Sequence, residues 1–191
     1  MSSQTAAPRA AEGRLEDAAR YLTFSLNDDV YALDIFHVNE IIEHRNLTVV
    51  PMMPDFVRGV INLRGRAVPV LDLAIRFGRG VTTIARRTSV IIVHVNHGPG
   101  DAGVQGEPGP GRDGGQDIGI LVDSVSKVVA FGTGDIEPTP AFGAGIRVDF
   151  ISGMAKQDNE FIIVLDIDRV LSVHDLAGIG DAMTQPGRGQ R

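Results

Sequence analysis

An internal repeat constrains the fold of this chain more than any other feature of its sequence. Residues 33–42 (LDIFHVNEII) align with residues 120–129 (ILVDSVSKVV) at an offset of 87, and five apolar positions coincide. Residues 67–73 (AVPVLDL) align with residues 161–167 (FIIVLDI) at an offset of 94. Similar offsets in the same order indicate two lobes of like topology with a cleft between them. Each lobe is predicted to hold about five short strands, which is typical of a small β-barrel.

The most distinctive segment of the first repeat is residues 59–73 (GVINLRGRAVPVLDL). It predicts two apolar strands joined by a sharp corner, where Gly65 can adopt positive φ without a Cβ clash. Asn62, Arg64 and Arg66 cluster beside this corner, so one end of the hairpin is strongly polar. The spacing is typical of a core hairpin with a solvated turn, and a binding role for the polar end is the alternative.

Composition and charge exclude several classes of function. The 191 residues carry a net charge of −6, so no overall basic field attracts nucleic acid or anionic lipid. Cysteine is absent, which excludes disulfides, thiolate metal sites and cysteine nucleophiles. No apolar run reaches the roughly 18 residues of a membrane helix, and the N-terminus lacks an apolar signal core. We therefore expect a cytoplasmic protein that does not insert into the membrane.

Changes in composition along the chain predict its organisation. The ends and one internal segment are small, polar or rich in glycine and proline, so they can bury little apolar surface. Asp168 is expected to cap a final helix. The predicted parts are a mobile tail (1–19), a domain (20–175) with lobe one at about 20–85 and lobe two at about 86–167, a helix at about 168–176, a flexible insertion (97–116) and a C-terminal tail (178–191).

Signals of metal binding and phosphoryl chemistry are weak. Residues 40–44 (EIIEH) resemble an inverted zinc motif but lack its first histidine. Asp72 and Asp166 each follow an apolar strand, as in phosphoacceptor domains, yet the alternating helices of such a fold are missing. We therefore predict no metal and no cofactor.

Two uses of the polar hairpin end remain open at this stage. Asn62, Arg64 and Asp72 provide the groups that a small-ligand or phosphate-handling enzyme would use. Glu40 and Arg64 are instead able to pair across a surface, where such a pair helps to select a partner.

Several segments together resemble a CheW-type chemotaxis coupling protein, over roughly residues 20–175. These segments are VNEII at 38–42, Pro51 with Pro54, GVINLRG at 59–65, VPVLDL at 68–73 and GILVDSV at 119–125. The resemblance implies a mainly β fold of two SH3-like five-stranded β-barrel lobes with short helices. It also implies a non-catalytic adaptor that links the cytoplasmic tips of methyl-accepting chemoreceptors to the regulatory domain of the histidine kinase CheA. Such proteins work at chemoreceptor arrays on the inner face of the membrane.

The resemblance also implies which residues bind the partners. The kinase would be bound through apolar barrel edges, for which Val30 and Ile42 are the candidates. For the valines and glycines of the receptor set, core packing is the alternative role. The receptor-binding positions implied by the motifs are Val38, Glu40, Gly59, Asn62, Arg64, Gly119, Val125 and Val128.

Overall fold

The computed structural model describes residues 18–95, 115–132, 134–139 and 146–172 and shows a mainly β fold. Two helices of one turn, α1 (Leu73–Arg76) and α2 (Ile167–Val170), follow hairpins, and two 3₁₀ turns cover Ile35–His37 and Val148–Phe150. Neither described helix is long and apolar enough to cross a membrane. The strands are β1 (Ala19–Leu26), β2 (Asp29–Asp34), β3 (Val38–Glu43), β4 (Val57–Leu63), β5 (Arg66–Asp72), β6 (Ser89–Val95), β7 (Gln116–Val122), β8 (Ser124–Phe131), β9 (Ile136–Glu137), β10 (Ile151–Gln157) and β11 (Glu160–Leu165).

The strands form two sheets of closely similar topology. The first sheet has six strands in the order β8–β1–β2–β11–β10–β9, and the second has five in the order β3–β6–β7–β5–β4. Neighbouring strands are antiparallel except at β2–β11 and β5–β7, which are parallel and occupy equivalent places in the two sheets. Among the described strands, the short strand β9 pairs only with β10, and it gives the first sheet one strand more than predicted.

The two copies of the internal repeat exchange strands between the sheets. The first sheet combines β1 and β2 with β8–β11, whereas the second combines β3–β5 with β6 and β7. The chain crosses from one sheet to the other at Ile35–His37 and again at Asp123. The predicted lobes at 20–85 and 86–167 therefore do not match the sheets, although the repeat itself is present. The sequence comparison identified equivalent segments, but strand pairing between copies is a long-range property that similarity along the chain does not reveal.

A shared hydrophobic core joins the two sheets, and each sheet also packs on a cluster of its own. In β6, Ile91 and Val93 lie in the shared core, while Val90 and Ile92 lie in the second sheet's own cluster. This alternation follows from the period of two along a strand, and both faces of β6 are buried. Burial of each such side chain is worth about 1.5–3 kcal/mol. Because apolar residues cover both faces of the central strands, the shared core holds the two sheets together.

Each copy of the repeat ends in a hairpin and a helix that begins after an aspartate. The carboxylate of Asp72 accepts a hydrogen bond from the Ala74 backbone N–H, and that of Asp166 accepts one from Arg169. The predicted cap of the final helix, Asp168, is wrong. Asp166 has the extended backbone that a capping residue needs, and Asp168 lies inside the first turn.

The structure corrects two predicted boundaries of the flanking segments. Ala19, which we assigned to the N-terminal tail, opens β1, and Gln116, which we assigned to the insertion, opens β7. The predicted final helix is shorter where the structure describes it, because α2 ends at Val170 and Leu171 and Ser172 do not continue it. Most of the predicted tails and insertion, and the end of the predicted helix, fall on residues 1–17, 96–114 and 173–191, which lie outside the described ones.

Candidate partner-binding site

The β4–β5 hairpin ends in a two-residue turn that fixes the position of Arg64. Arg64 and Gly65 have φ values of 54° and 83°, which is the pattern of a type I′ turn. The Asn62 side-chain oxygen accepts a hydrogen bond from the Gly65 backbone N–H at 2.8 Å. The predicted hairpin is therefore confirmed. Asn62 has a local structural role, since its oxygen holds the turn that presents the Arg64 side chain.

The two edge strands of the five-stranded sheet come together beside this turn. Arg64 Nη2 lies 3.1 Å from Glu40 Oε2 on β3, so the pair suggested by the sequence is present. A second link is made by Thr48 and Val60, whose backbone groups exchange hydrogen bonds of 2.9 and 2.8 Å. The segment after β3 thus pairs with β4, and the sheet curls so that its edges meet.

A small pocket opens where these edges meet. Its volume is about 200 Å³, and residues from five strands and the β4–β5 turn line it. The floor is apolar and formed by Leu63, Val68 and Ile92. The rim is polar and consists of Asn39, Glu40, Arg64, Arg66 and Asp117. A pocket of this size is smaller than the roughly 300–1,000 Å³ of most small-molecule sites, and it fits a protruding side chain better than a cofactor.

Asp117 organises the second half of the rim. One carboxylate oxygen accepts a hydrogen bond from Asn39 Nδ2 at 2.8 Å and lies 2.9 Å from His94 Nδ1. The other lies 3.2 Å from Arg66 Nη1. Asp117 is only 11% exposed, and its contacts join the beginning of β7 to β3, β5 and β6. Sequence reasoning missed it, although an acidic residue directly before the apolar run of 118–122 was a usable signal.

The two glycines of the predicted receptor-binding set are buried. A Cβ on Gly59 would lie 2.5 Å from the Thr48 carbonyl oxygen, and one on Gly119 would lie 2.8 Å from Val90 Cγ1. Close packing explains why glycine occupies both positions, and their part in receptor binding stays a prediction.

The predicted valines and isoleucine occupy different environments. Val38 and Val125 are half-buried against the shared core, whereas Val128 is 51% exposed on the edge strand β8. Val30 and Ile42, the kinase-binding candidates, are each half-buried against one sheet's own cluster. None of these five residues lines the pocket.

Sequence reasoning missed the most exposed apolar side chains of the described residues. Phe36 is 88% exposed in the first 3₁₀ turn, and in the β3–β4 connection Met52 is fully exposed and Val49 is 76% exposed. Phe161 on β11 is 62% exposed. Only Met52 carried a clear signal, because Pro51-Met52 lies between two apolar segments in a typical turn position.

The alternative site formed by Asn62, Arg64 and Asp72 is wrong. Asp72 is 0% exposed and accepts hydrogen bonds from Arg58 Nη1, the Ala74 N–H, and both the N–H and the hydroxyl of Thr82. It ends β5, whereas Arg64 precedes the beginning of that strand, so about 20 Å separate them along the strand. The three side chains therefore do not form one site. Across the described ranges, no group of three or more His, Asp or Glu residues is arranged to hold a metal ion.

Comparison with known proteins identifies the family. A CheW-like domain family model matches residues 20–175. The chain belongs to the CheW-like domain family. The resemblance inferred from the GVINLRG and VPVLDL segments is thus confirmed, and the repeated β architecture is the fold of a CheW-like domain.

Individual relatives agree with this assignment. The chain is 29% identical to the chemotaxis protein CheW of Klebsiella aerogenes over 157 residues, which cover 82% of this chain and 84% of the relative. It is 30% identical to CheW of Thermotoga maritima over 153 residues, covering 78% and 85%. The crystal structure of the scaffolding protein TtCheW from Thermoanaerobacter tengcongensis superposes with a TM-score of 0.67 at 32% identity, covering 83% and 90%.

Proposed function

We propose that this CheW-like chain is a non-catalytic adaptor that couples methyl-accepting chemoreceptors to the histidine kinase CheA. The observation that carries the proposal is the Glu40–Arg64 contact at the rim of the pocket. Both residues stand at motif positions of the family, 24 residues apart in sequence, and the fold brings them to one exposed place. Relatives named as chemotaxis proteins, and one named as a scaffolding protein, support the same role.

The pocket provides a means of holding the tip of a receptor. Its apolar floor offers contact to one apolar side chain of the receptor tip, and the apolar area buried there adds to the affinity. The charged rim around it favours partners with complementary polar groups and disfavours others. Of the positions outside the pocket, Val128 is exposed enough for direct contact, while Val38 and Val125 support the shape of the surface from below.

The kinase-binding candidates do not line the pocket. Val30 on β2 and Ile42 on β3 stay the candidates for contact with the regulatory domain of CheA. Each is only half-buried, so each retains some surface for a partner. Val30 lies on the sheet that does not carry the pocket, whereas Ile42 lies two residues from Glu40 on β3. A kinase contact at Val30 lets one chain hold receptor and kinase together, and many such weak contacts gain strength in an array. We place the protein in the cytoplasm, at the chemoreceptor arrays beneath the inner face of the membrane.

The charges at the site suit binding better than catalysis. Glu40 pairs with Arg64, and Asp117 contacts Arg66, Asn39 and His94. A general base or nucleophile needs a reactive group that faces the substrate, with a partner that activates it. Here the carboxylates are engaged in holding neighbouring strands, which favours a fixed docking surface.

Charge reversal at Arg64 tests the proposal. A soluble fragment of a chemoreceptor tip and the regulatory domain of CheA are each titrated into the wild type and into Arg64→Glu, and the dissociation constants are measured by calorimetry. We expect Arg64→Glu to weaken receptor binding by about tenfold or more and to leave kinase binding within about twofold. Equal receptor affinity of the variant and the wild type would rule out this site.

A matched control separates the effect of a charge change at Arg64 from the effect of the change in net charge. Arg169 is 66% exposed and pairs with Asp166 at 3.2 Å, much as Arg64 pairs with Glu40. Arg169→Glu therefore makes the same change of net charge on the other half of the protein. Receptor binding should survive this change, and thermal melts of both variants establish that they are folded.

A further inference from the structure

Three exposed arginines lie together at the end of β3 that is remote from the pocket. The β3–β6 pairing ends with Glu43 opposite Ser89, and the next residues continue it, since the His44 N–H donates to the Thr88 carbonyl oxygen at 3.1 Å. The same register places Arg45 across from Arg87. Arg45, Arg86 and Arg87 are all exposed, and we call them the arginine cluster.

The connection that carries Arg86 and Arg87 is held by specific hydrogen bonds. The Thr88 N–H donates to the Ala85 carbonyl oxygen at 3.1 Å, and the Ala85 N–H donates to Thr88 Oγ1 at 2.7 Å. Thr88 is itself buried, with 2% of its surface exposed. Three residues before this turn, Thr82 donates two hydrogen bonds to the buried Asp72. Arg86 and Arg87 therefore stand on an anchored turn, so that little order has to be gained on binding.

The arginine cluster has no acidic partner among the residues that the structure describes. By contrast, three other exposed arginines are paired: Arg64, Arg66 and Arg169 lie 3.1–3.2 Å from carboxylate oxygens. Like charges opposite each other on paired strands destabilise the pair. The described part of a chain with a net charge of −6 thus holds three unpaired positive charges close together, at some cost in stability.

Apolar side chains accompany the arginine cluster on the same connection. Val81 is 61% exposed and Ile84 is 44% exposed. Protein interfaces are enriched in arginine beside apolar surface, because the guanidinium group both packs and donates several hydrogen bonds. A nucleic acid is a poor fit, since the overall negative charge of the protein repels a long polyanion.

We propose that the arginine cluster, with Val81 and Ile84, is a docking surface for an acidic segment of a partner protein, one that carries several carboxylates interspersed with apolar residues. This surface is distinct from the receptor pocket, because Arg45 lies two residues beyond the end of β3, about 16 Å from Glu40 for an extended chain. The proposal does not depend on the receptor-coupling role. Its basis is charge complementarity between unpaired guanidinium groups and carboxylates.

A model peptide tests the docking surface. The probe is a fluorescein-labelled peptide of alternating Glu and Leu, and the comparison is the same peptide with Gln in place of Glu. Fluorescence anisotropy at low salt should show binding of the Glu peptide by the full-length protein, and binding should weaken as salt is added. Arg86→Glu with Arg87→Glu should weaken it by about tenfold or more.

A control variant makes the same change of net charge at two arginines outside the arginine cluster. Arg147→Glu with Arg169→Glu reverses two arginines that are each 66% exposed, and this variant should bind the Glu peptide within about threefold of the wild type. Amide chemical-shift changes on peptide binding should centre on Arg45, Arg86 and Arg87. Equal weakening in both double variants, absence of binding by the wild type, or tighter binding of an oligothymidylate than of the Glu peptide would overturn the proposal. Thermal melts of both variants confirm that they are folded.

Discussion

Glu40 and Arg64 join the two edges of one sheet, with Glu40 Oε2 on β3 lying 3.1 Å from Arg64 Nη2 in the β4–β5 turn. Arg64 is 79% exposed and Glu40 is 26% exposed, so water screens the attraction. A pair of this kind contributes about 0–1 kcal/mol to folding. Its main consequence is geometric, because it fixes the orientation of two charges that a partner meets at the rim of the pocket.

A charge swap separates the contribution of the Glu40–Arg64 pair to folding from its contribution to partner binding. Glu40→Arg and Arg64→Glu should each change the free energy of unfolding in urea by less than about 1 kcal/mol. Each should weaken binding of a receptor-tip fragment, because like charges then repel at the rim. The double variant restores the pair in reverse and should recover part of the affinity. Purely additive losses of affinity would show that the two residues do not act as a pair.

Asp72 and Asp166 occupy equivalent places in the repeat but differ in burial. Asp72 is fully buried and accepts four hydrogen bonds. The Asp166 side chain is 32% exposed and accepts a hydrogen bond from the Arg169 backbone N–H. Asp72→Ala should lower the free energy of unfolding by about 3–5 kcal/mol, because Arg58 and Thr82 lose their acceptor. Asp166→Ala should cost only about 1 kcal/mol, as the loss of a helix cap does. Chemical denaturation of both variants measures the difference, and similar costs at the two sites would contradict this account.

The sequence predicted the parts of the site that depend on local chemistry. The β4–β5 hairpin followed from glycine at a turn between apolar strands, and the Glu40–Arg64 pair followed from charges that interrupt apolar segments. The contacts of Asp117 did not follow, because its partner Asn39 lies 78 residues away in the chain. The exchange of strands between sheets escaped prediction for the same reason.

Exposure was the second property that the sequence left undetermined. Val30 and Ile42 belong to strands in which apolar residues occur on both faces, so alternation does not indicate which face meets solvent. The structure shows both residues half-buried, and it shows Phe36 and Met52 as far more exposed. These two residues lie in a 3₁₀ turn and a strand connection, where no hydrophobic period predicts burial.

Gly59 and Gly65 provide a matched pair for the role of glycine in the hairpin. Both have positive φ, at 142° and 83°. Gly59→Ala would also place its Cβ 2.5 Å from the Thr48 carbonyl oxygen, whereas a Cβ on Gly65 has open space. We expect a loss of about 3 kcal/mol or more in unfolding free energy for Gly59→Ala and about 1 kcal/mol for Gly65→Ala. A loss of stability at Gly59 no larger than that at Gly65 would mean that the Thr48 segment moves away from the added Cβ at little cost.

Tyr31 makes the stability of this protein sensitive to alkaline pH. Its ring packs between Phe24 and Phe77, and its hydroxyl is buried without a hydrogen-bond partner among the described residues. Burial raises the pKa of Tyr31 above its ordinary value of 10.0; the smaller effect of the Arg79 charge lowers this pKa, and that of the Asp29 charge raises it. The protonated ring is therefore favoured in the folded state. Below pH 10 both folded and unfolded states are neutral at this residue, and above it the unfolded state loses its proton first.

The free energy of unfolding should consequently fall as pH rises above about 10, through the raised pKa of folded Tyr31. Tyr31→Phe should remove part of that fall and change stability at neutral pH by less than about 1 kcal/mol, because the hydroxyl it deletes is unpaired. Since the chain has two tyrosines, Tyr21→Phe leaves Tyr31 as the sole chromophore for a tyrosinate absorbance titration of the folded protein. An apparent pKa at or below 10 in that variant would show that the Tyr31 hydroxyl is hydrated, and Tyr31→Phe would then leave the alkaline dependence unchanged.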